Sequence, residues 1–349
     1  MNKIIVPTGY MGSGSSAFTS IVDEYKDYKA LNDKFEYVFL HCPNGLFDLE
    51  DKLLSGNAHL KSDEALHSFY NTMKDLYDKK YYWVGNYNKN ISNNFMKYID
   101  EFMNTIIDFK ANNQYWYIQE NTNIRMGIKL AFNKIIKAIT FNRVKLSKPL
   151  LYNDIWISYT TKENFYSAAK KLINHVLVDL GSNDSNVILD QLLLPYNMHR
   201  IDNYFDDNLR CLIIDRDPRD VFIMNKYIWC NQNESVPFPL DAKSFSAFYR
   251  GMRNVEKNSD SKCILRLHFE DAIYNYEDTL TTLESFICCS KEQHIKKGLS
   301  FNPNISINNT QLFLADYATK EEIKIIEEEL SEYLYNFPYE RKPETSKSF

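Results

Sequence analysis

Residues 9–16, GYMGSGSS, follow the apolar run Lys3-Ile4-Ile5-Val6-Pro7 and lead into Ala17-Phe18-Thr19-Ser20-Ile21-Val22. The run predicts a short buried strand over 3–7. Apolar residues at 17, 18, 21, 22 and 25 give a helix over 15–25 one inward face. A strand that feeds a glycine turn into a helix aims several backbone N–H groups at one point, and the helix dipole adds partial positive charge there. An anion belongs at that point. Gly9, Gly12 and Gly14 permit the tight turn, and Ser13, Ser15 and Ser16 add hydroxyl donors. Gly9 and Gly14 are spaced as in a Walker A phosphate loop, yet Ser15 stands where that loop carries its lysine. Ser15 cannot do the lysine's job, and a donor without a γ-phosphate would not require that reach.

Working outward, Glu36-Tyr37-Val38-Phe39-Leu40 reads as a second strand ending in the loop 41–45. Three more apolar runs end in charge: 187–190, 211–216 and 263–270. Runs this short, separated by helical stretches, suit a parallel sheet buried on both faces, where ligands gather beyond the carboxyl ends of the strands. From 48 to 175 the pattern is mostly helical, with Asp48, Ser62 and Ser92 as N-caps. The expected organisation is an α/β nucleotide-binding core with a parallel central sheet and flanking helices, built from 1–47 and 176–335. A helical insertion at 48–175 would form the acceptor-binding region. Residues 320–335 read as an acidic helix, and 336–349 as a polar tail.

Composition narrows the partners. A net charge of −5 argues against a general nucleic-acid binder, so any anion site must be local. The six cysteines at 42, 211, 230, 263, 288 and 289 form no C-x-x-C pair, so no metal is expected, and a reduced, cytoplasmic setting is. No basic n-region leads into an apolar stretch, and no window approaches the roughly 18 apolar residues of a spanning helix. Residues 110–150 carry eight Lys and Arg (Lys110, Arg125, Lys129, Lys134, Lys137, Arg143, Lys145, Lys148) against Glu120, a balance of +7. That segment reads as a basic surface for an acidic acceptor or an anionic lipid headgroup, placing the protein peripherally at the inner face of a membrane. Oligomeric state is not legible.

The second motif is Asp215-Arg216-Asp217-Pro218-Arg219-Asp220-Val221. Asp217 as N-cap, Pro218 at the first helical position and Asp220 in the first turn signal a helix start. Arg216 falls at the carboxyl end of a buried strand, where a guanidinium is best matched by a phosphate.

Together the N-terminal glycine/serine loop, R-D-P-R-D-V closing a mid-chain strand, and the later HFEDAIYNYEDTLTTLESFI (268–287) resemble the sulfotransferases that use 3′-phosphoadenosine 5′-phosphosulfate (PAPS). The resemblance covers the sheet segments and their order, not the block from 48 to 175. In that family the loop reads Lys or Arg, then Ser-Gly-Thr/Ser-Thr/Ser, and binds the 5′-phosphosulfate; Gly12-Ser13-Gly14-Ser15-Ser16 matches four of five positions. The resemblance thus implies PAPS as donor, adenosine 3′,5′-bisphosphate as product, and nucleotide contacts from Met11, Gly12, Ser13, Gly14, Ser15, Ser16 and Ala17. Arg216 matches the arginine that binds the 3′-phosphate. Ser306 and Asn309, in Asn304-Ile305-Ser306-Ile307-Asn308-Asn309, match the C-terminal nucleotide-contacting stretch. The family's yEdL segment is similar to Phe269-Glu270-Asp271-Ala272.

Two positions depart from the pattern. Gly12 replaces the basic residue beside the bridging oxygen, leaving Arg219, Arg125 and Lys129 as substitutes for its charge. Met224 replaces a serine that assists the 3′-phosphate, with Asn225 one step on. An acceptor hydroxyl or amine must lose a proton as it attacks. Glu36 resembles the family's glutamate base, and His41 lies at the rim; Asp48, Glu50 and Asp190 are further carboxylates. The expected activity is sulfuryl transfer from PAPS to a carbohydrate or lipid-linked glycan. The alternatives are a P-loop nucleotide kinase or NTPase, with Cys211–Asp215 as its Walker B strand, and a catalytically inactive nucleotide-binding homologue.

Overall fold

The computed structural model describes residues 2–30, 35–79, 84–114, 124–144, 153–230, 235–257 and 259–344. The chain divides into two compact units. The first comprises Met1–His41 and Leu177–Phe349 with a short passage at Tyr81–Val84; the second comprises Cys42–Lys80 and Gly85–Val176.

The first unit is built on a five-stranded, fully parallel sheet. Strand β1 (Ile4–Gly9) is followed by helix α1 (Ser15–Asp23) and by the short edge strand β2 (Tyr28–Ala30). The second unit then contributes α2 (Leu46–Leu54), α3 (His59–Asp78), α4 (Phe95–Ile106), β3 (Phe109–Gln114), α5 (Ile124–Ile139), β4 (Asn153–Ile157) and most of α6 (Lys162–Asp179). The first unit resumes with β5 (Asn186–Ile188), β6 (Leu209–Asp215), α7 (Pro218–Ile223), α8 (Ala242–Asn254), β7 (Ile264–His268), α9 (Tyr276–Ile287) and α10 (Lys320–Glu329). The spatial order is β2-β5-β1-β6-β7, so from β1 the chain turns towards one edge and from β6 towards the other. That reversal opens a crevice beyond the carboxyl ends of β1 and β6, the usual ligand position in such sheets.

Period-2 alternation along β6 explains how the sheet is held. Leu212 and Ile214 pack with Ile5 against Phe18, Ile21 and Val22 of α1 and Leu280, Leu283 and Ile287 of α9. A separate cluster joins α7, α8 and α10 through Phe222, Phe245, Tyr249, Ile326 and Leu330. These two cores fix the two loops that meet at the crevice.

The second unit is helical around an antiparallel pair that the sequence pattern did not reveal. Phe109 pairs with Ile157 and Ala111 with Ile155. Helix α3 docks on this pair: the Ser62 hydroxyl accepts from the Ser158 N–H at 2.7 Å, and Asp63 accepts from the Trp156 N–H at 2.7 Å. Phe69, Phe102 and Phe165 form its aromatic core.

Several expectations are corrected. Residues 36–40 are irregular rather than a strand. Tyr37 and Phe39 are buried as the pattern requires, and the Tyr37 N–H donates to the Asp190 carbonyl, but β2 occupies the edge of β5. Asp48, Ser62 and Ser92 are not N-caps: the caps of α2, α3 and α4 are Gly45, Ala58 and Asn94. Ser62 is drawn inside its helix to serve β4, and Asp48 instead accepts from the Asn44 N–H. The acidic helix ends at Glu329, with a 3₁₀ turn at Ser331–Tyr333. Lys145 and Lys148 of the basic segment, Glu120, and 345–349 of the tail lie outside the described residues.

Candidate functional site

The loop between β1 and α1 forms one wall of a cleft of about 1050 Å³. Gly9 ends β1 where a Cβ would fall 2.5 Å from the Ile214 carbonyl oxygen, so only glycine lets β1 and β6 approach there. Gly14 has φ +86°, and a Cβ on it would lie 2.6 Å from the ring of Phe269. No side chain caps α1, which leaves the N–H groups of Ser15 and Ser16 without intrahelical partners. Beside them the Ser13 hydroxyl oxygen is buried and finds no partner among the described residues. Amides at a helix start and an orphaned hydroxyl, at a position that excludes side chains, have the chemistry to hold an anion.

From the neighbouring strand end comes Arg216, only 4% exposed. Its Nη1 donates to the Gly12 carbonyl at 3.1 Å, its Nη2 donates to the Asn309 carbonyl, and its guanidinium stacks over Phe269 at 4.9 Å. Arg216 therefore fastens the glycine loop to the segment 306–309, and its Nε is buried without a partner among the described residues. Burial lowers its pKa, opposed by the carboxylates of Asp220, Glu270 and Asp217. Those acids organise the helix start behind it. Asp217 caps α7 and also takes Arg219 in a two-pronged pair, while Asp220 accepts the N–H groups of Gln311 and Leu312. Glu270 accepts the Asp217 N–H at 2.9 Å, and burial, followed by the charge of Asp217, pushes its carboxyl up to about 8.

Further titratable groups face the same cleft. Glu36, His41 and Asp190 all line the cleft. Burial raises the Glu36 pKa; burial and then the Glu36 charge push Asp190 up to about 7. His41 Nε2 donates to the Gln191 carbonyl at 2.7 Å, a tautomer that keeps the lone pair on Nδ1. Burial lowers its pKa, so the ring is neutral near pH 7.

The structure gathers Met11, Gly12, Ser13, Gly14, Ser15, Ser16, Ala17, Glu36, His41, Arg216, Ser306 and Asn309 around this one cleft. Asn225 does not join them. Its amide is fully buried and bound at both ends to the backbone of Phe238, because Met224–Trp229 forms a π-helix that turns it inward and presents Met224 and Trp229 to the cleft instead. Arg219 is likewise committed, to Asp217, Glu327 and the face of Phe313. The Arg125 side chain lies outside the described residues, and Lys129 is exposed on a helix of the other unit. Asp48 and Glu50 also belong to that unit, where Glu50 accepts from the Tyr166 hydroxyl.

Gln191 was missed. At φ +57° beyond β5, it accepts from the Thr8 hydroxyl and donates to Ser15 Oγ at 3.2 Å, tying the strand end to the loop. Its only advance signal was its place just past a buried run. Asp215, the acid expected of a Walker B strand, is enclosed by Arg253 and Arg266 at 2.8 Å each, an arrangement that leaves it unsuited to a metal ion.

No family model matches the chain, and no curated protein matches it. Among solved structures, it is similar to the sulfotransferase domain from the curacin biosynthetic pathway at 12% identity and a TM-score of 0.37, covering 97% of this chain and 99% of that one. It is also similar to the sulfotransferase domain from the Synechococcus PCC 7002 olefin synthase at 12% identity and a TM-score of 0.39, covering 97% and 95%.

Proposed function

We propose that this cleft binds PAPS and that the protein is a sulfotransferase acting on a hydroxyl or amine of a carbohydrate or lipid-linked glycan. The observation that carries the reading is the meeting of the Ser13–Ser16 cradle with the buried guanidinium of Arg216 in one cleft. No lysine stands among its described lining residues. Such a site suits a phosphoanhydride-type donor that needs neither a γ-phosphate lysine nor Mg²⁺, and the enclosed Asp215 speaks against the kinase or NTPase alternative.

The residues fit the donor. The unpartnered Ser13 Oγ and the amides of Ser15 and Ser16 would hold its phosphosulfate end. Arg216 and the 306–309 segment it secures, with Ser306 and Asn309, would hold the nucleotide's other phosphate. When bound, the donor supplies the sulfuryl group; the chain itself positions, neutralises charge and takes a proton. The acceptor proton would go to the Glu36–Asp190 side of the cleft, with neutral His41 beside it. A base whose pKa lies near the working pH is the efficient choice. Aromatic rings of Tyr10, Tyr196, Trp229 and Phe301 interleaved with these polar groups suit sugar rings and their hydroxyls.

Radiolabel transfer tests the reading. With ³⁵S-labelled PAPS and extracted glycolipids or capsular polysaccharide, label should pass to the glycan fraction in the presence of EDTA. Label on small phenols alone would reject the acceptor class, and Mg²⁺-dependent ATP turnover without sulfuryl transfer would reject the activity.

A further inference from the structure

Helix α5 has its polarity inverted. Leu130, Asn133 and Ile136, with Thr140 just beyond, make the half-buried face. Ile124, Ile128, Phe132, Ile135 and Ile139 recur at i, i+4, i+8, i+11 and i+15 on the other side and are 85, 64, 60, 53 and 71% exposed. A helix of a globular protein ordinarily turns such a stripe inward. Just past the helix, Phe141 is also 87% exposed, with φ +51°. A contiguous apolar patch of this kind marks a contact surface.

Charge identifies what it contacts. In a chain of net charge −5, residues 124–144 contain Arg125, Lys129, Lys134, Lys137 and Arg143 and no Asp or Glu. On the helical wheel Lys129 and Lys134 flank the apolar stripe on its two sides. A second copy would bring a patch of the same positive sign against this one, whereas anionic headgroups complement it. At 16 residues the helix is about 24 Å long, shorter than a hydrocarbon core of about 30 Å. Among the described residues no helix is long and apolar enough to cross a membrane. We infer that α5 lies in the plane of an anionic bilayer, with Ile128, Phe132, Ile135 and Ile139 inserted below the headgroups and the lysines paired with lipid phosphates and carboxylates. This stands independently of the reaction in the cleft.

The test is co-sedimentation of the full chain with sucrose-loaded vesicles of phosphatidylcholine, with or without one-third phosphatidylserine. Partition onto the anionic vesicles should exceed that onto neutral ones by roughly tenfold or more and fall steeply with added salt. The Ile128→Ser/Phe132→Ser/Ile135→Ser variant should lose roughly tenfold or more of that partition with an unchanged melting temperature, because the three side chains face solvent. Lys129→Gln/Lys134→Gln/Lys137→Gln should abolish the preference for anionic lipid. Equal partition onto both vesicles, or onto neither, overturns the proposal. So does a dimer in light scattering that the triple-serine variant dissociates, which would give the face to a second copy. A large fall in melting temperature in that variant would show the stripe to be packed against protein, and would overturn it as well.

Discussion

Replacing Gly14 by alanine should disable the anion cradle, and the structure separates the two costs involved. The first is conformational: φ +86° is left-handed, where an L side chain loses about 1–2 kcal/mol. The second is steric. The new Cβ would stand 2.6 Å from Phe269, and that buried ring cannot retreat freely because Arg216 stacks on it. Overpacking of this kind costs about 1–3 kcal/mol. Gly181 provides the control, since it has φ +88° but a Cβ added there would meet no atom within 4 Å. Gly181→Ala should therefore lose only the conformational part, while Gly14→Ala loses both and displaces the guanidinium. Urea unfolding of the two variants measures the difference, and calorimetry with adenosine 3′,5′-bisphosphate measures the consequence for binding. Equal destabilisation in the two variants, with undiminished nucleotide affinity in Gly14→Ala, would refute the claim that close packing of loop, ring and arginine builds the cradle.

Other outcomes follow from the same geometry. Arg216→Lys keeps the charge but cannot span the Gly12 and Asn309 carbonyls, so nucleotide affinity should drop by roughly tenfold or more on titration calorimetry; an unchanged affinity would remove the fork from the site. Asp190 titrates near pH 7 when folded and near 4 when unfolded. The native state then binds the extra proton between those values, and this group's stabilisation declines as pH rises through that window. Asp190→Asn should accordingly raise the melting temperature more at pH 8 than at pH 5, and a pH-independent difference would contradict the shift. Glu36→Gln removes the neighbouring charge, so the rising limb of the transfer rate against pH should move to lower pH; an unmoved limb would exclude their coupling. Glu24 accepts from His294 Nε2 and from the N–H groups of Gly298, Ser300 and Phe301. Glu24→Gln should speed amide hydrogen exchange at 298–301 and weaken nucleotide binding through Phe301, and unchanged exchange would show that the clamp is not needed.

The strand, loop and helix of 4–23 were legible because glycine is demanded at 9 and 14, where a Cβ would meet the Ile214 carbonyl and the Phe269 ring. The R-D-P-R-D segment was legible for a similar reason: its cap, proline and first-turn acid report local structure, and Arg216 its strand end. Residues 36–40 misled because burial of Tyr37 and Phe39 produces the alternation of a strand in backbone that is irregular. Asn225 misled because a π-helix, invisible in composition, rotates that turn by a residue. Gln191 reaches Ser15 across 176 residues in sequence, and the β3–β4 pair joins residues about forty to fifty apart, which no local pattern encodes.

The most direct measurement of the central claim is the crystal structure of the protein soaked with adenosine 3′,5′-bisphosphate in EDTA. The account predicts one phosphate on the amides of Ser15 and Ser16 with the Ser13 hydroxyl, and the other beside Arg216 and the 306–309 segment. Nucleotide density elsewhere, or binding that appears only when Mg²⁺ is restored, would contradict it.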